Sequence, residues 1–360
     1  MPEAPPREIG SEFGWDATAL RATAPTGPPD WLPAHAALFA TCCGALTRLI
    51  RLLSPRGRLH VPSYFCMGVA EALSADVPLA WYRHLPDERG PRMETVHAEP
   101  GDVVLAQNLF GRDSAAPWDA WAAAHPDVAV VEDHSHDPFG TWARTSTARY
   151  ATASLRKTLP LPDGGLLWSP RGLDLPEPVG DQSPGAALKL AAMLLKSAWL
   201  DGRAVPKTDF RALQQAGECA LLGSAGPAST LTRAVLPLLD VDSLRATASR
   251  NARTLVAALP ARTAGWEVGP GSASFRVQLT CPDEATRDAL LAHLGRNGIF
   301  APVHWRQDRT GFWSGDPEAA DLAARMLTIP ADHRCEPSDI RRIADVLLAF
   351  DARTGERQGS

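Results

Sequence analysis

Lys157 is the residue whose type and setting most directly indicate chemistry in this chain. An apolar run, Tyr150–Ser154, precedes it, and a turn rich in Pro and Gly leads from it to a second apolar run, Gly165–Trp168. This pattern predicts a strand, an exposed lysine, a tight turn and another strand. Burial of a lysine amine favours its neutral form, which can attack a carbonyl group. We therefore predict that Lys157 forms a Schiff base with an aldehyde cofactor, pyridoxal phosphate.

The other lysines, Lys189, Lys196 and Lys207, are expected to lie at the surface. Lys189 and Lys196 are on the same predicted helix, and Lys207 directly follows a proline. A charged ammonium is rarely buried unless it is paired, so solvation is the ordinary state of such residues. Lys157 differs from them because a predicted strand flanks it on either side.

Asp133 is a second candidate for chemistry, because it follows the predicted buried strand 128–131. A carboxylate in such a place is costly unless it is paired. The pyridine nitrogen of pyridoxal phosphate would supply a partner. An aspartate against that nitrogen keeps it protonated, so that the ring can act as an electron sink. The alternative is an aspartate that caps the turn after the strand.

The cluster that contains His134, His136 and Asp137 raises the possibility of a metal site. Together with His304, these side chains could bind zinc or iron. No second cluster or Glu-rich helix in the sequence supports that interpretation. A contact between His136 and the cofactor ring is the favoured alternative.

A phosphate site is predicted where the turn from Thr41 to Gly44 opens a helix. Backbone N–H groups at a helix start bind phosphate, so Cys42 and Cys43 would lie at the cofactor phosphate. Ser154 could add a hydroxyl. The alternative is a buried pair of cysteines that packs against the sheet. The chain has no G-x-G-x-x-G after a strand and no P-loop motif, so nucleotide-binding folds lack their signature.

Composition limits the class of protein. The chain has 360 residues, of which 45% are hydrophobic. This is enough for one large domain and a smaller one. The net charge of -5 and the lack of a basic stripe argue against a nucleic-acid partner. No apolar run reaches the roughly 18 residues of a membrane span, and the six cysteines include no C-x-x-C pair. We expect a soluble, cytoplasmic protein with reduced thiols.

Strands and helices alternate through the first half of the chain. The predicted strands are 58–61, 78–82, 102–106, 128–131, 150–154 and 165–168, and the predicted helices are 38–53 (interrupted near 41–43), 66–73 and 117–124. Short buried strands between helices predict an α/β fold with a largely parallel sheet covered on both faces. Ligands of such sheets bind beyond the carboxyl ends of the strands. Asn108, Asp133, His136 and Lys157 all fall there.

The domain organisation follows from breaks in this pattern. We predict an N-terminal arm over 1–33, a large domain over 34–240, a small C-terminal α/β domain over 241–352 and a disordered tail over 353–360. The arm is expected to make a contact through Phe13 and Trp15. The remaining predicted helices are 186–200, 213–222, 229–239, 242–259, 284–294, 317–325 and 338–350, and the remaining strands are 274–279 and 299–303. Helix 242–259 would bridge the domains, and Ser338 would be the N-cap of the last helix.

Several short motifs, taken in order, resemble a known family. They are the runs 61–66, 108–111, 131–136 and 154–157 with 163–165, the pair Arg250 and Asn251, the segments 298–299 and 303–305, and the run 327–330. The ordered set resembles the DegT/DnrJ/StrS-type sugar aminotransferases, which are pyridoxal-phosphate enzymes of the aspartate aminotransferase fold, fold type I. The resemblance covers most of the chain, from about Ile9 to Leu348.

This resemblance implies a seven-stranded, mostly parallel sheet, a smaller C-terminal domain, and a homodimer with active sites at the interface. Lys157, Asp133 and His136 would be the catalytic residues: the Schiff-base lysine, the partner of the pyridine nitrogen and a residue facing the ring hydroxyl. The implied cofactor-binding residues are Lys157, Asp133, His136, Cys42, Cys43, Cys66, Asn108 and Ser154.

The sequence also departs from the family pattern. Cys66 stands where an aromatic residue commonly stacks on the cofactor ring. Cys42 and Cys43 replace Gly and Thr at the phosphate, and Ser154 is closer to Lys157 than in most members. The usual Gly-x-Asn loop that reaches the partner subunit is not recognisable between Trp199 and Ala220.

The functional prediction is an aminotransferase that moves an amino group from an amino-acid donor, such as glutamate, to a keto sugar or similar small ketone. Alternatives are a pyridoxal-phosphate enzyme of the same fold that performs elimination, substitution or C–C chemistry, and a non-catalytic or regulatory homologue. A metal-dependent enzyme that uses His134, His136 and Asp137 is a further alternative.

Overall fold

The computed structural model describes residues 8–22, 27–270 and 276–358. The strands are β1 (Ile9–Gly10), β2 (Ala36–Phe39), β3 (Leu59–Pro62), β4 (Leu79–Tyr82), β5 (Val103–Gln107), β6 (Ala129–Asp133), β7 (Tyr150–Ser154), β8 (Gly165–Trp168), β9 (Glu267–Val268), β10 (Arg276–Thr280), β11 (Ile299–Phe300) and β12 (Met326–Pro330). The helices are α1 (Cys42–Leu53), α2 (Met67–Ser74), α3 (Ala116–Ala124), α4 (Thr141–Thr145), α5 (Pro184–Leu200), α6 (Lys207–Leu221), α7 (Thr230–Val235), α8 (Val241–Ala257), α9 (Glu284–Arg296), α10 (Pro317–Arg325) and α11 (Pro337–Gln358).

The large domain contains a seven-stranded sheet with the order β2-β8-β7-β6-β5-β3-β4. The strands β3 to β7 pair in parallel, and β8 is antiparallel to both of its neighbours, β7 and β2. The predicted fold class, an α/β protein with a mostly parallel seven-stranded sheet, is therefore confirmed.

Alternating residues of the central strands face helices on opposite sides of the sheet. In β5, Val103 and Leu105 pack in a core that includes Leu46 of α1, whereas Val104 and Ala106 pack in a second core with Trp118 of α3. A period of two is the side-chain period of a strand, so both faces are apolar and the whole strand is buried.

The carboxyl ends of β5 and β6 lie side by side. Gln107 pairs with Asp133 in register, and Asp133 pairs with Thr152 of β7. Gln107 lies two positions after Leu105, and Asp133 two positions after Val131, so both side chains lie on the face of the sheet that α1 covers. This edge is where the sequence predicted the ligand.

The first helix begins later than the sequence predicted. The helical pattern that we read from residue 38 is a strand, Ala36–Phe39, followed by a helix that begins at Cys42. Thr41 is the N-cap, because its side chain accepts a hydrogen bond from the N–H of Gly44. Apolar residues at 37–39 fit a strand and a helix equally well, and the pairing with β8 decides the outcome.

The small domain is built on the antiparallel sheet β12-β10-β9. Its core includes Trp266, Leu279 and Leu327, each fully or almost fully buried. Ala252 and Leu255 of α8 belong to the same core, so this helix packs against the small domain. Strand β12 was not predicted as a strand, because it directly follows α10 without a turn signal.

The ends of the chain differ in part from the predictions. The last helix begins at Pro337, so Ser338 lies inside the helix rather than at its N-cap, and proline is suited to a first turn. The helix continues past 350 to Gln358 and thus includes most of the expected disordered tail, whereas residues 359–360 lie outside the described residues. Residues 1–7 and 23–26 of the predicted arm, and 274–275 of a predicted strand, also lie outside them.

The described part of the arm packs between the two domains. Strand β1 pairs in parallel with β11 of the small domain. Phe13 stacks on His333 with ring centroids 5.5 Å apart, and Trp15 packs beside the core under β7 and β8. These are the two aromatic residues expected to make contacts. Among the residues that the structure describes, the helices include none with the length and apolarity to cross a membrane.

Candidate functional site

A cavity of about 400 Å³ opens at the carboxyl ends of the parallel strands. It is bounded by the start of α1, the start of α2, the ends of β5 to β7, and a segment of the small domain that contains Trp305. Six of the residues predicted from sequence line it: Cys42, Cys43, Cys66, Asp133, Ser154 and Lys157. Residues from four separate parts of the chain thus meet in one place.

Lys157 ends a single 3-10 turn, Leu155–Lys157, that directly follows β7. The side chain is partly buried. Its Nζ lies 3.2 Å from Nε2 of His136 and 5.3 Å from the ring centroid of Trp305. Among the described residues, no carboxylate lies within ion-pair distance of this amine.

His136 is held by the backbone N–H of Phe110 and by two aromatic rings. Its Nδ1 accepts a hydrogen bond of 2.9 Å from the N–H of Phe110. A backbone N–H can only donate, so in the neutral imidazole the proton resides on Nε2, which faces Lys157. Burial, followed by the charge of Lys157, holds the pKa of His136 well below its usual value. His136 is therefore a neutral imidazole beside the amine of Lys157.

The rings of Phe110 and Trp305 lie nearly parallel to the imidazole of His136. Their centroids are 5.1 Å and 5.5 Å from it, with interplanar angles of 12° in both cases. Phe110 adopts a left-handed conformation with φ of 54°. Such a backbone is costly for a bulky residue and is found where the surroundings demand it. In Phe110, the left-handed backbone accompanies the hydrogen bond that its N–H donates to His136.

Asp133 is the last residue of β6 and is buried. Its Oδ1 accepts a hydrogen bond of 2.9 Å from the N–H of Ser135. This bond fixes the carboxylate at the strand end and accounts for the turn-capping alternative. Because Asp133 also lines the cavity, one carboxylate can cap the turn and face a ligand.

The start of α1 forms part of the cavity wall. Thr41 accepts hydrogen bonds from Gly44 through its side chain and from Ala45 through its carbonyl. Within the described residues, this leaves the N–H groups of Cys42 and Cys43 for a ligand. A side chain at Gly44 would collide with the backbone of Ser224 at 2.1 Å, so close packing requires glycine there.

The cysteines at the start of α1 are protonated thiols. Burial, followed by the charge of Asp133, raises the pKa of Cys42 to about 12, and its Sγ lies 3.3 Å from Oγ1 of Thr152. Burial also raises the pKa of Cys43, and the neighbouring Cys66 contributes. The thiols are therefore weak nucleophiles. Phe65 and Trp305 are the aromatic side chains that line the cavity near Cys66.

Gln107, and not Asn108, contributes the side chain of β5 that reaches the cavity. Asn108 accepts from the N–H of Asp113 and is not among the lining residues. Gln107 is 3% exposed, and its Oε1 has no hydrogen-bond partner among the described residues. Sequence reasoning ended the strand at Ala106 and so missed Gln107; the alternation of the strand is the signal that could have found it.

The expectation for two of the other lysines is wrong. Lys189 and Lys196 of α5 are 4% and 1% exposed, not solvated. Lys189 pairs with Glu12 and Glu218, each at 2.8 Å, and Lys196 pairs with Glu8 at 3.0 Å. Carboxylates of the N-terminal arm compensate the charge of the two buried amines. The hydrophobic periodicity of α5 does not reveal these partners.

The side chains of the proposed metal cluster have separate partners. His134 pairs with Glu132 at 2.9 Å, and Asp137 accepts two hydrogen bonds from Arg245, each 2.8 Å long. His136 faces Phe110 and Lys157, as described above. Among the described residues, no group of three or more His, Cys, Asp or Glu is arranged to hold a metal ion.

Comparison with known proteins places the fold. No protein-family model and no curated protein sequence matches the chain. Solved structures do match. DesI, solved with its TDP-sugar product, is 21% identical, with a TM-score of 0.62 over 90% of this chain and 82% of that one. The synthase of 3-amino-5-hydroxybenzoic acid is 16% identical, with a TM-score of 0.61 over 89% and 87%.

A DegT DnrJ EryC1 StrS aminotransferase from Brucella abortus is 16% identical to this chain. It has a TM-score of 0.58 over 88% of this chain and 86% of that one. In each of the three comparisons, the match spans both the sheet domain and the small domain. The chain therefore has the fold of the DegT/DnrJ/EryC1/StrS aminotransferases, as its ordered sequence motifs predicted.

Proposed function

We propose that this protein is a pyridoxal-phosphate-dependent aminotransferase that transfers an amino group from an amino-acid donor to a keto sugar or similar small ketone. The observation that carries the proposal is the position of Lys157. It lies in one cavity with Asp133 and the start of α1, at the carboxyl ends of a parallel sheet. These are the amine, the carboxylate and the N–H groups that such a cofactor requires.

The residues present fit the cofactor. The start of α1 offers backbone N–H groups and the positive end of a 12-residue helix to a phosphate. Asp133 offers a buried carboxylate to a ring N–H. The unpaired Oε1 of Gln107 is a buried polar atom that a polar ligand would satisfy. Within the described parts of the chain, no carboxylate forms an ion pair with Lys157, so its amine can react with the cofactor.

Lys157 would hold the cofactor covalently, because its Nζ can replace the oxygen of the aldehyde with loss of one water. When bound, pyridoxal phosphate supplies an electron sink that stabilises negative charge at the substrate carbon. Once released, Nζ of Lys157 would act as acid and base for the substrate proton. His136 and Trp305 lie beside this amine, at 3.2 Å from Nε2 and 5.3 Å from the ring centroid.

We also infer that the protein is a homodimer. The cavity rim includes Leu222, which exposes 72% of its surface. The resemblance of the motifs implies a dimer with its active sites at the interface, and the other subunit would then cover Leu222. Sedimentation measurements are expected to give twice the mass of the chain; a monomer at micromolar concentration would contradict this inference.

The aminotransferase proposal is tested by the donor half-reaction. Purified protein loaded with pyridoxal phosphate is mixed with single amino acids, including glutamate, and the visible absorbance is followed. We expect at least one donor to convert the bound cofactor to its amine form. A coloured protein that no donor converts would favour elimination, substitution or C–C chemistry at the same site. A protein that binds no cofactor would favour a regulatory homologue.

A further inference from the structure

The three side chains of the turn that carries Lys157 have three different environments. A 3-10 helix has three residues per turn, so consecutive side chains point about 120° apart. Leu155 is fully buried in the core under β7 and β8, and Arg156 reaches Glu218 of α6. Lys157 lines the cavity. Because the turn is so short, anchoring its first two side chains fixes the direction of the third.

Arg156 is held by two hydrogen bonds to one carboxylate. Its Nη1 and Nη2 donate to the two oxygens of Glu218, at 2.8 Å and 3.3 Å. A paired contact of this kind fixes orientation as well as distance, since the guanidinium and the carboxylate are both planar. Although burial opposes it, the hydrogen bond and charge of Arg156, with those of Lys189, lower the pKa of Glu218 to about 2. The carboxylate therefore stays ionised and holds Arg156 at neutral pH.

Glu218 is restrained in turn by a lysine of the neighbouring helix. Lys189 of α5 is 4% exposed and pairs with Glu218 at 2.8 Å. The helices α5 and α6 approach closely here, because a Cβ at Gly217 would lie 2.9 Å from Cγ of Lys189. Removing one partner of a buried ammonium is costly, so this pair keeps Glu218 beside α5.

The same lysine reaches the N-terminal arm. Nζ of Lys189 also pairs with Glu12 at 2.8 Å. The arm is fixed beside Glu12, because Phe13 stacks on His333. In addition, Arg334 donates to the carbonyl of Glu12 at 3.2 Å. Alternating charges thus connect the turn of the cavity lysine to an arm that the small domain holds. We call these four residues the ion-pair series: Arg156, Glu218, Lys189 and Glu12.

We propose that Arg156 and Glu218 are positioning residues for Lys157, and that Lys189 extends this support to Glu12 of the arm. Misplacement of a reacting group by about 1 Å can lower a rate about a hundredfold, so the direction of the amine matters. The reactive role of Lys157 rests on the proposed function, whereas the support of its turn does not. The contacts of the ion-pair series lie within one chain and do not depend on what a second subunit adds to the cavity.

Hydrogen exchange in the protein without cofactor tests this support directly. The amides of Thr158 and Leu159 donate to the carbonyl of Leu155, at 3.2 Å and 3.0 Å, so their exchange reports opening of the turn. Exchange is measured by mass spectrometry of the peptide 155–161. Glu218→Gln should accelerate it about tenfold, because a hydrogen-bonded charge is lost. The amides of the neighbouring strand β8 should not change.

Glu267→Gln is the matched control for this substitution. Glu267 pairs with Arg262, and its side chain is about as exposed as that of Glu218, 51% against 44%. Neither member of that pair lines the cavity. Exchange of the turn should therefore equal that of the natural protein. Unchanged exchange in Glu218→Gln, or equal acceleration in the turn and in β8, would overturn the proposal.

The arm end of the ion-pair series gives a second test. Glu12 is 44% exposed at its side chain and pairs with Lys189 rather than with the turn. Glu12→Gln should nevertheless accelerate exchange of the turn about twofold, the effect of one exposed ion pair. In a Lys189→Met background, Glu12→Gln should have no further effect. No effect in the natural protein, or the same effect in both backgrounds, would overturn the extension to the arm.

Rates of the loaded protein connect the position of the turn to the reaction. Glu218→Gln should lower the maximal rate of the donor half-reaction about tenfold, with little change in the donor concentration at half-maximal rate. Glu218→Asp keeps the charge and should recover part of the rate. An unchanged maximal rate, or a change in the half-maximal concentration alone, would overturn the positioning role. Failure of the half-reaction in the natural protein would instead contradict the proposed function.

Discussion

The lysines of this protein occupy two contrasting environments. Lys157 is only partly buried, and its amine faces an imidazole and an indole ring. Lys189 and Lys196 are almost completely buried, and carboxylates hold their amines. Burial alone would select Lys189 and Lys196, rather than Lys157, as the reactive lysines. The partner of the amine distinguishes a lysine that can attack a carbonyl from one that anchors a helix.

The two environments also differ in what they connect. The amine of Lys196 bonds to Glu8, Ser11 and the carbonyl of Glu12, so it ties the N-terminal arm to α5. Lys157 instead joins the end of β7 to Trp305 of the small domain across a cavity. The contacts of Lys196 satisfy its amine and hold the arm in place. The contacts of Lys157 leave room for a ligand.

The largest expected effect follows from removing the cavity amine. Lys157→Ala should lower the rate of amino transfer by at least about a thousandfold, because it removes both the covalent anchor and the acid–base group. The rate is measured with excess cofactor, and the unfolding midpoint is measured in parallel. Lys157→Arg keeps the charge and should be equally inactive. Activity of Lys157→Ala within tenfold of the natural protein would contradict the view that Lys157 is reactive and the buried lysines are structural.

Removing the buried amine of α5 should affect stability instead. Lys196→Met leaves Glu8, 3% exposed at its side chain, with Lys207 and the hydroxyl of Ser11 as its partners among the described residues. We expect a loss of about 3 kcal/mol in the free energy of unfolding by urea, because one partner of a buried pair is lost. The spectrum of the bound cofactor should not change. Lys207→Met, on the exposed side of the same carboxylate, is the control and should cost at most about 1 kcal/mol.

Acid should weaken the contacts between the arm and α5. Although burial opposes it, the charge of Lys196 and the hydrogen bond of Lys207 lower the pKa of Glu8 to about 2 from an ordinary value of 4.5. A carboxyl whose pKa falls on folding stabilises the protein above its ordinary pKa and loses that contribution as pH falls toward the lowered value. Between pH 5 and pH 3 the loss should be about 2 kcal/mol. It is measured as the difference in urea unfolding between the natural protein and Glu8→Gln; parallel pH curves for the two would refute it.

The smallest expected effect concerns the indole above Lys157. Trp305→Ala removes the ring that lies near both the amine and His136. Cofactor affinity should fall by about fivefold, as for loss of one cation–π contact. The contribution of the arm contacts to the free energy of unfolding should not change. Trp305→Phe should recover part of the affinity. Affinity is measured by titration of the apoprotein with cofactor. Equal affinities for all three proteins would show that Trp305 does not contribute to cofactor binding.

The sheet and one side of the site were predictable because local signals coincide there. The strands at Tyr150–Ser154 and Gly165–Trp168 have the predicted bounds, since turns with Gly and Pro delimit them. Asp133 ends the parallel strand β6, and Lys157 lies in the turn that follows β7. A residue that ends a strand of a parallel sheet is placed by topology alone, so sequence order was enough to bring the two together.

The rest of the site depends on contacts that sequence order does not reveal. A strand boundary one residue too early excluded Gln107 and favoured Asn108, and one residue in a strand exchanges the two faces of the sheet. Trp305 belongs to a segment without regular structure, and only the packing of the small domain brings it to Lys157. The partners of Lys189 and Lys196 in the N-terminal arm are more than 170 residues away along the chain, as with the 177 positions between Lys189 and Glu12.

The most direct test of this account is the chemical location of the cofactor. The protein is loaded with pyridoxal phosphate, reduced with borohydride, digested and mapped by mass spectrometry. The account predicts a yellow protein that loses its colour on reduction and carries one pyridoxyl group on Lys157, with Lys189, Lys196 and Lys207 unmodified. Modification of Lys189 or Lys196 in place of Lys157, or stoichiometric modification of the Lys157→Ala variant, would contradict it.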